Sequence, residues 1–261
     1  MPFASRGGVS LAYERHAGAL PPAVLIHGWC CDRSYLAPQA AHFTAAGRAV
    51  LELDLRGHGE SDKPQQDYPI HAFADDVAWL IDTLAVERPI LVGHSMGGII
   101  AYDIAARYPE LASAIVMIDS AVVLPEHARA AIPPFLEKLR QPDYAEVVAD
   151  YVGSALFIPS DDPERKAAIL AAMAAAPYHV LVSAYCGLAD YDAAGAGSVA
   201  VPALHIAADE PSPRCDLARL AALVPQLQTG RTVGSGHFCQ LEVPEQVNAM
   251  IDRFLKLSVG G

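Results

Sequence analysis

Short, uninterrupted apolar runs alternate along this chain with longer segments whose apolar residues recur every three or four positions. The runs Ala23-Val24-Leu25-Ile26, Ala49 to Leu55, Pro89-Ile90-Leu91-Val92, Ala114 to Ile118 and Pro202 to Ala208 have strand length and read as strands covered on both faces. Between them, Tyr35 to Ala46, closed by Gly47, and Ile70 to Leu84 have helical spacing, the latter with Phe73, Val77, Leu80, Ile81 and Leu84 on one face. Val9 to His16 alternates loosely behind Gly7-Gly8 and predicts an opening hairpin. A helix at Asp216 to Leu223, a last strand at Leu227 to Val233 and a closing helix at Pro244 to Leu257 complete the pattern. Strands alternating with helices imply right-handed crossovers. The expected fold is therefore α/β: a mostly parallel, doubly wound sheet of about eight strands with helices on both faces.

The alternation breaks between about Val122 and Val199. That stretch reads as helices alone: Glu126 to Arg140, interrupted at Pro133-Pro134, then Tyr144 to Ser154, Pro163 to Ala176 and Tyr178 to Tyr191. A helical block between two strands predicts a lid, residues 122–198, inserted into a core formed by 1–121 and 199–261. Its Phe135, Tyr144, Tyr151, Phe157, Tyr178 and Tyr185 compete between two uses, packing the lid and lining an apolar pocket. Phe135, Tyr151, Tyr178 and Tyr185, with Phe238 beside His237, are the pocket candidates.

The stretch Gly93-His94-Ser95-Met96-Gly97-Gly98 follows one strand and opens the helical run Ile99 to Arg107. Glycines two positions either side of a serine permit a strained strand-to-helix turn with the hydroxyl at its tip. The unpaired amides of the helix start favour negative charge there. Serine needs a base to become a nucleophile, and His237, at a strand end among glycines and a serine, is the candidate. Asp209, after Pro202 to Ala208, is the expected acid. Asp119 also ends a strand and is the alternative. His27, His58 and His94 lie in turns and are expected to be structural.

Four motifs in this order, His27-Gly28-Trp29, Gly93 to Gly97, Asp209 and Gly236-His237, resemble the α/β-hydrolase fold superfamily, in its serine esterase and lactonase branch. The resemblance runs over nearly the whole chain and keeps the family's order of nucleophile, acid and base. It implies an acyl-enzyme on Ser95, with an oxyanion hole from the backbone N–H groups of Met96 and Trp29. The implied activity is that of a carboxylesterase-type hydrolase acting on a small ester or lactone with an apolar acyl or aryl part. Relatives with an aspartate at the elbow form alkyl esters instead. Hydrolysis of carbon–carbon bonds is an alternative on the same machinery. So is cofactor-free ring cleavage, which His27-Gly28-Trp29-Cys30 and Asp32 also resemble, although those enzymes carry histidine where this chain has Met96. A non-catalytic receptor for a small molecule is the third.

Composition narrows the partners. The chain has 261 residues, 52% hydrophobic, and a formal charge of −12, which argues against nucleic acid or anionic membrane and for a neutral or apolar small molecule. Cys30, Cys31, Cys186, Cys215 and Cys239 are odd in number and lack metal spacing, so neither a disulfide framework nor a metal site is expected. No cofactor is implied. Residues Met1 to Ser10 carry no apolar signal core and no apolar run is long enough to span a bilayer, so a cytoplasmic protein without a membrane span is the expectation. Oligomeric state and the physiological substrate leave no mark in the sequence.

Overall fold

The computed structural model describes residues 1–259. Its strands are β1 (Phe3–Arg6), β2 (Val9–His16), β3 (Leu20–Ile26), β4 (Arg48–Leu53), β5 (Ile90–His94), β6 (Ala114–Ile118), β7 (Ala203–Ala207) and β8 (Leu227–Arg231). They form one sheet in the order β1-β2-β4-β3-β5-β6-β7-β8. β1 and β2 pair antiparallel as the expected hairpin and β2 runs antiparallel to β4; every later pairing is parallel.

Helices α1 (Ala37–Ala45), α2 (Ile70–Thr83) and α3 (Met96–Arg107) cross over between the first parallel strands. A 3-10 turn at Arg33–Leu36, capped by the Asp32 side chain, precedes α1 where the sequence pattern suggested one longer helix. Between β6 and β7 lie α4 (Glu126–Leu139), α5 (Tyr144–Ala155), α6 (Pro163–Ala174), α7 (Tyr178–Ala189) and the short α8 (Ala193–Ala196). α4 is continuous, against the expected break at Pro133-Pro134. Both prolines and residues 129–131 are exposed, so water can satisfy the carbonyls that lose an N–H partner. The chain closes with α9 (Leu217–Leu223), α10 (Cys239–Glu242) and α11 (Pro244–Ser258). β8 stops at Arg231, short of the exposed Val233. No single helix among the described residues is long and apolar enough to cross a membrane.

The period-two alternation of the strands divides the core in two. Ala23, Leu25, Ile90, Val92, Val116 and Ile118 face α1 and α11, packing on Phe43, Val247, Ile251 and Phe254. Val24, Ile26, Leu91, Ile115 and Met117 face the other layer, with Val77 of α2 and Ile100 and Ile104 of α3. The chain leaves β3 in one direction and returns to its other side at β5. Strand order thus reverses between neighbours whose carboxyl ends lie together, Ile26 opposite Gly93, and this is where an α/β sheet opens a crevice.

α3 approaches that crevice closely. A Cβ on Gly97 would lie 2.0 Å from the Ile26 carbonyl oxygen, and one on Gly93 would lie 2.1 Å from that of Gly97. The sharp turn between β5 and α3 therefore depends on the absence of both side chains. Gly97→Ala is expected to destabilise the fold by about 2 kcal/mol or more, since the clash is with backbone that cannot swing aside. Calorimetry should record this as a drop in Tm of roughly 5 °C or more.

Candidate active site

Ser95 sits between β5 and α3 with φ 54° and ψ −119°, a left-handed backbone conformation unusual for a residue with a side chain. Hydrogen bonds on both sides hold it: its N–H donates to Ile118 O at 2.9 Å, and its carbonyl accepts from Ser120 Oγ and from Gly98 N–H, the latter at 3.0 Å. The side chain is lifted into a cavity of about 370 Å³ at the carboxyl edge of the sheet, together with His237, Asp119, Trp29 and Met96. Among the described residues no hydrogen bond joins Ser95 Oγ to His237. Such contacts commonly tighten only when substrate is bound.

Met96 is the first residue of α3, so its N–H has no carbonyl one turn back to bond. Trp29 lies in the loop after β3. Neither amide donates to a backbone or side-chain acceptor among the described residues, and both residues line the cavity. The loop is fixed by His27, whose Nδ1–H donates to Gly28 O at 2.8 Å while its Nε2 accepts from Leu55 N–H at 3.0 Å. Burial lowers the pKa of His27, which keeps the acceptor nitrogen free of a proton. The Trp29 indole Nε1–H reaches across to Leu181 O of α7 at 2.9 Å.

The carboxylate on His237 is Asp119. Its Oδ2 accepts the Nδ1–H of His237 at 2.6 Å and Arg214 Nε–H at 3.0 Å, and its Oδ1 accepts Ala208 N–H at 2.9 Å. Asp209, the expected acid, is not in contact with His237. Its side chain is 38% exposed, pairs with Arg231 at 2.9 Å, and accepts Gly234 N–H at 3.0 Å. The reason for the correction lies in the two strand ends. Past Ala207 the chain turns Asp209 outward towards the β8 loop, whereas Asp119, at φ 42°, turns its side chain along the sheet edge towards the histidine.

The electrostatics suit a neutral base beside an ionised acid. Burial of the Asp119 carboxyl alone would raise its pKa, but the hydrogen bond from His237 and the charges of His237 and Arg214 hold it well below the usual range. Burial, then the Arg214 cation, lowers the pKa of His237 against the opposing pull of Asp119. Among the described residues, Asp119, Glu210 and His237 place ligand-type atoms within 4.8 Å of one another. Arg214 already donates to both carboxylates, so the cluster carries its own cation and fits a metal poorly.

Of the pocket candidates, Phe135, Tyr151, Tyr185 and Phe238 line the cavity. Tyr178 does not: it is 40% exposed and stacks on Tyr144, ring centroids 4.7 Å apart. It shares a face of α7 with Tyr185 but lies two turns nearer the helix start, where it packs on Tyr144 and not on the cavity. Leu124, Ile132, Met173, Leu188 and Arg214 line the cavity as well without having stood out in the sequence. Arg214 could have been noticed only as a basic residue close after a strand end, a weak signal on its own.

Comparison with known proteins agrees with this architecture. The family model described as the alpha/beta hydrolase fold matches residues 21–244, and the chain belongs to that family. It is 28% identical over 244 residues to the AB hydrolase superfamily protein YisY of Bacillus subtilis (strain 168), covering 89% of this chain and 91% of that one. Among solved structures it resembles the enol-lactonase from Burkholderia xenovorans LB400, with a TM-score of 0.85, 25% identity, and 98% and 100% of the two chains covered. It also resembles a thermophilic esterase from Thermogutta terrifontis, with a TM-score of 0.83, 25% identity, and 97% and 96% covered. The class is thus a hydrolase-fold protein with esterase and lactonase neighbours.

Exchanging each acid separates the two aspartates. Asp119→Asn is expected to lower kcat about a thousandfold or more, because the imidazole loses its orienting carboxylate. Asp209→Asn should stay within about tenfold, since an exposed pair of this kind contributes about 1 kcal/mol or less. Steady-state kinetics on p-nitrophenyl butyrate decides. An imidazole acts as a base in its neutral form and burial favours that form of His237, so with His237 as candidate base the acid limb of kcat/KM should fall below the ordinary histidine value of 6.5.

Proposed function

We propose that this protein is a serine hydrolase that cleaves a small carboxylic ester or lactone through an acyl-enzyme. The observation that carries the reading is the 2.6 Å contact from His237 Nδ1 to Asp119 in the same cavity as Ser95. In this reading Asp119 holds the tautomer that leaves Nε2 of His237 free to take the Ser95 proton. Ser95 Oγ attacks the acyl carbon, and the developing oxyanion is met by the N–H groups of Met96 and Trp29. His237 then returns the proton to the leaving alkoxide, or to the ring oxygen of an opened lactone. Water, deprotonated by the same imidazole, attacks the acyl-enzyme, and the imidazolium returns that proton to Ser95 Oγ as its bond to the acyl carbon breaks and the acid is released.

The cavity supports an apolar substrate part. Its volume, about 370 Å³, suits a small ligand, and Leu124, Ile132, Phe135, Leu156 and Met173 give it apolar walls. The ester and lactone neighbours support the same choice of bond, since both reactions pass through the same kind of tetrahedral intermediate.

A fluorophosphonate probe is expected to label the wild type at Ser95, and Ser95→Ala should lose both labelling and hydrolysis of p-nitrophenyl acetate, butyrate and octanoate. Turnover that survives in Ser95→Ala would dispose of the acyl-enzyme. Enlarging the cavity with Phe135→Ala should move the preference towards octanoate. Tyr178→Ala, outside the cavity, should leave the preference as it was.

A further inference from the structure

A buried cation stands behind the acid. Arg214, on the loop between β7 and α9, has its side chain 18% exposed, and each contact of its guanidinium reaches a different part of the molecule. Nε–H donates to Asp119 Oδ2 at 3.0 Å, the oxygen that also takes the His237 proton. Nη2 donates to Glu210 Oε1 at 2.6 Å and to the Ala155 carbonyl at the end of α5. The next carbonyl, Leu156 O, accepts His237 N–H at 3.0 Å. One rigid planar group therefore joins the acid, a second carboxylate and the inserted helices, beside the point where those helices grip the backbone of the base.

The geometry points to Arg214 as a positioning residue: it holds Asp119 Oδ2 in line with His237 Nδ1, takes Glu210 as its counter-charge, and ties that alignment to the seating of α5 on the core. This rests on the acyl-enzyme reading above. A guanidinium suits the task because its fork has fixed angles and it keeps its proton when buried. A lysine would supply charge at one point only. Glu210 balances the arrangement. Its own carboxyl is pushed up to about 7 by burial, with the like charge of Asp119 adding to this against the pull of Arg214.

The titratable and charged groups around His237 come from several elements. They are Asp119 after β6, His94 at the end of β5, Arg214 and Glu210 after β7, Tyr151 and Asp161 from the insertion, and Cys239 on α10. Of these, Arg214 is the cation that disfavours imidazolium. Its removal should therefore raise the pKa of His237.

The test compares Arg214→Met and Arg214→Lys with wild type on neutral p-nitrophenyl butyrate and anionic p-nitrophenyl hemisuccinate, over the full pH range and with thermal unfolding as a control. Arg214→Met is expected to lose about tenfold to a hundredfold in kcat on both esters with KM within about threefold, as for a misaligned catalytic pair. Its acid limb should move up by about one pH unit. Arg214→Lys should return the limb to near the wild-type position while recovering only part of kcat. An unmoved limb in Arg214→Met overturns the proposal. So does a loss confined to KM for the hemisuccinate, which would make Arg214 a contact for a substrate carboxylate. Should Arg214→Met fail to fold, wild-type kcat in Arg214→Lys overturns it instead. Fluorophosphonate labelling of wild type separates the two failures: no label at Ser95 sinks the acyl-enzyme, whereas a label with an unmoved limb sinks only the role of Arg214.

Discussion

The contact on which the rest of the site depends is the one between the start of α3 and the end of β3. Gly97 lies so close to the carbonyls of Ile26 and His27 that the helix begins directly against the neighbouring strand. Both candidate oxyanion donors follow from this contact: Met96 is the first residue of that helix, and Trp29 leaves that strand two residues after His27. The left-handed backbone at Ser95 is its cost. The surrounding sheet imposes that conformation through Ile118 and Ser120, because a residue here costs about 1–3 kcal/mol to hold.

The helices between β6 and β7 do more than roof the cavity. They grip the site at four places: Leu181 takes the Trp29 indole, Leu156 the His237 amide, Asp161 the Gly236 amide, and Ala155 the Arg214 guanidinium. Each contact uses a carbonyl or carboxylate at or near a helix end, or a carbonyl in the first turns of a helix. Movement of the insertion would therefore be felt by His237, Arg214 and Trp29 together. Packing carries the same link. Phe238, next to the base, stacks with Phe157 of the insertion and Tyr35 of the core at centroid distances of 5.3 and 5.9 Å.

Charge is distributed so that one carboxylate near the imidazole stays ionised and the imidazole stays neutral. Burial opposes both charges, and in water the pair would be worth little. Inside, Asp119 keeps its charge because three donors converge on its two oxygens. His237 stays neutral because burial and Arg214 act together against its protonation. Neither effect alone would give both outcomes.

Much of this was legible in the sequence, where periodicity is a local property. The strands, the crossover helices, the helical block after β6 and the turn around Ser95 follow from apolar spacing and from glycines at positions that tolerate nothing larger. His237 stood out as a candidate base by its glycine neighbours in the loop after the last strand, although β8 stops six residues before it. What local pattern cannot carry is the direction in which a side chain leaves a loop. Asp119 and Asp209 both follow strands of the same sheet, and the choice between them was made by the backbone turn at Asp119 and by the Ala208 amide that clamps its carboxylate. Tyr178 and Tyr185 lie on one face of the same helix, two turns apart, yet only the second lines the cavity. Arg214 gains its place only because β6, β7 and α5 converge on it. The sequence by itself determined the fold and the strand-to-helix turn at Ser95, since these depend on neighbours along the chain. Tertiary structure alone decided which aspartate meets His237, where Arg214 lies and which residues wall the cavity, since these depend on neighbours that the sequence holds far apart.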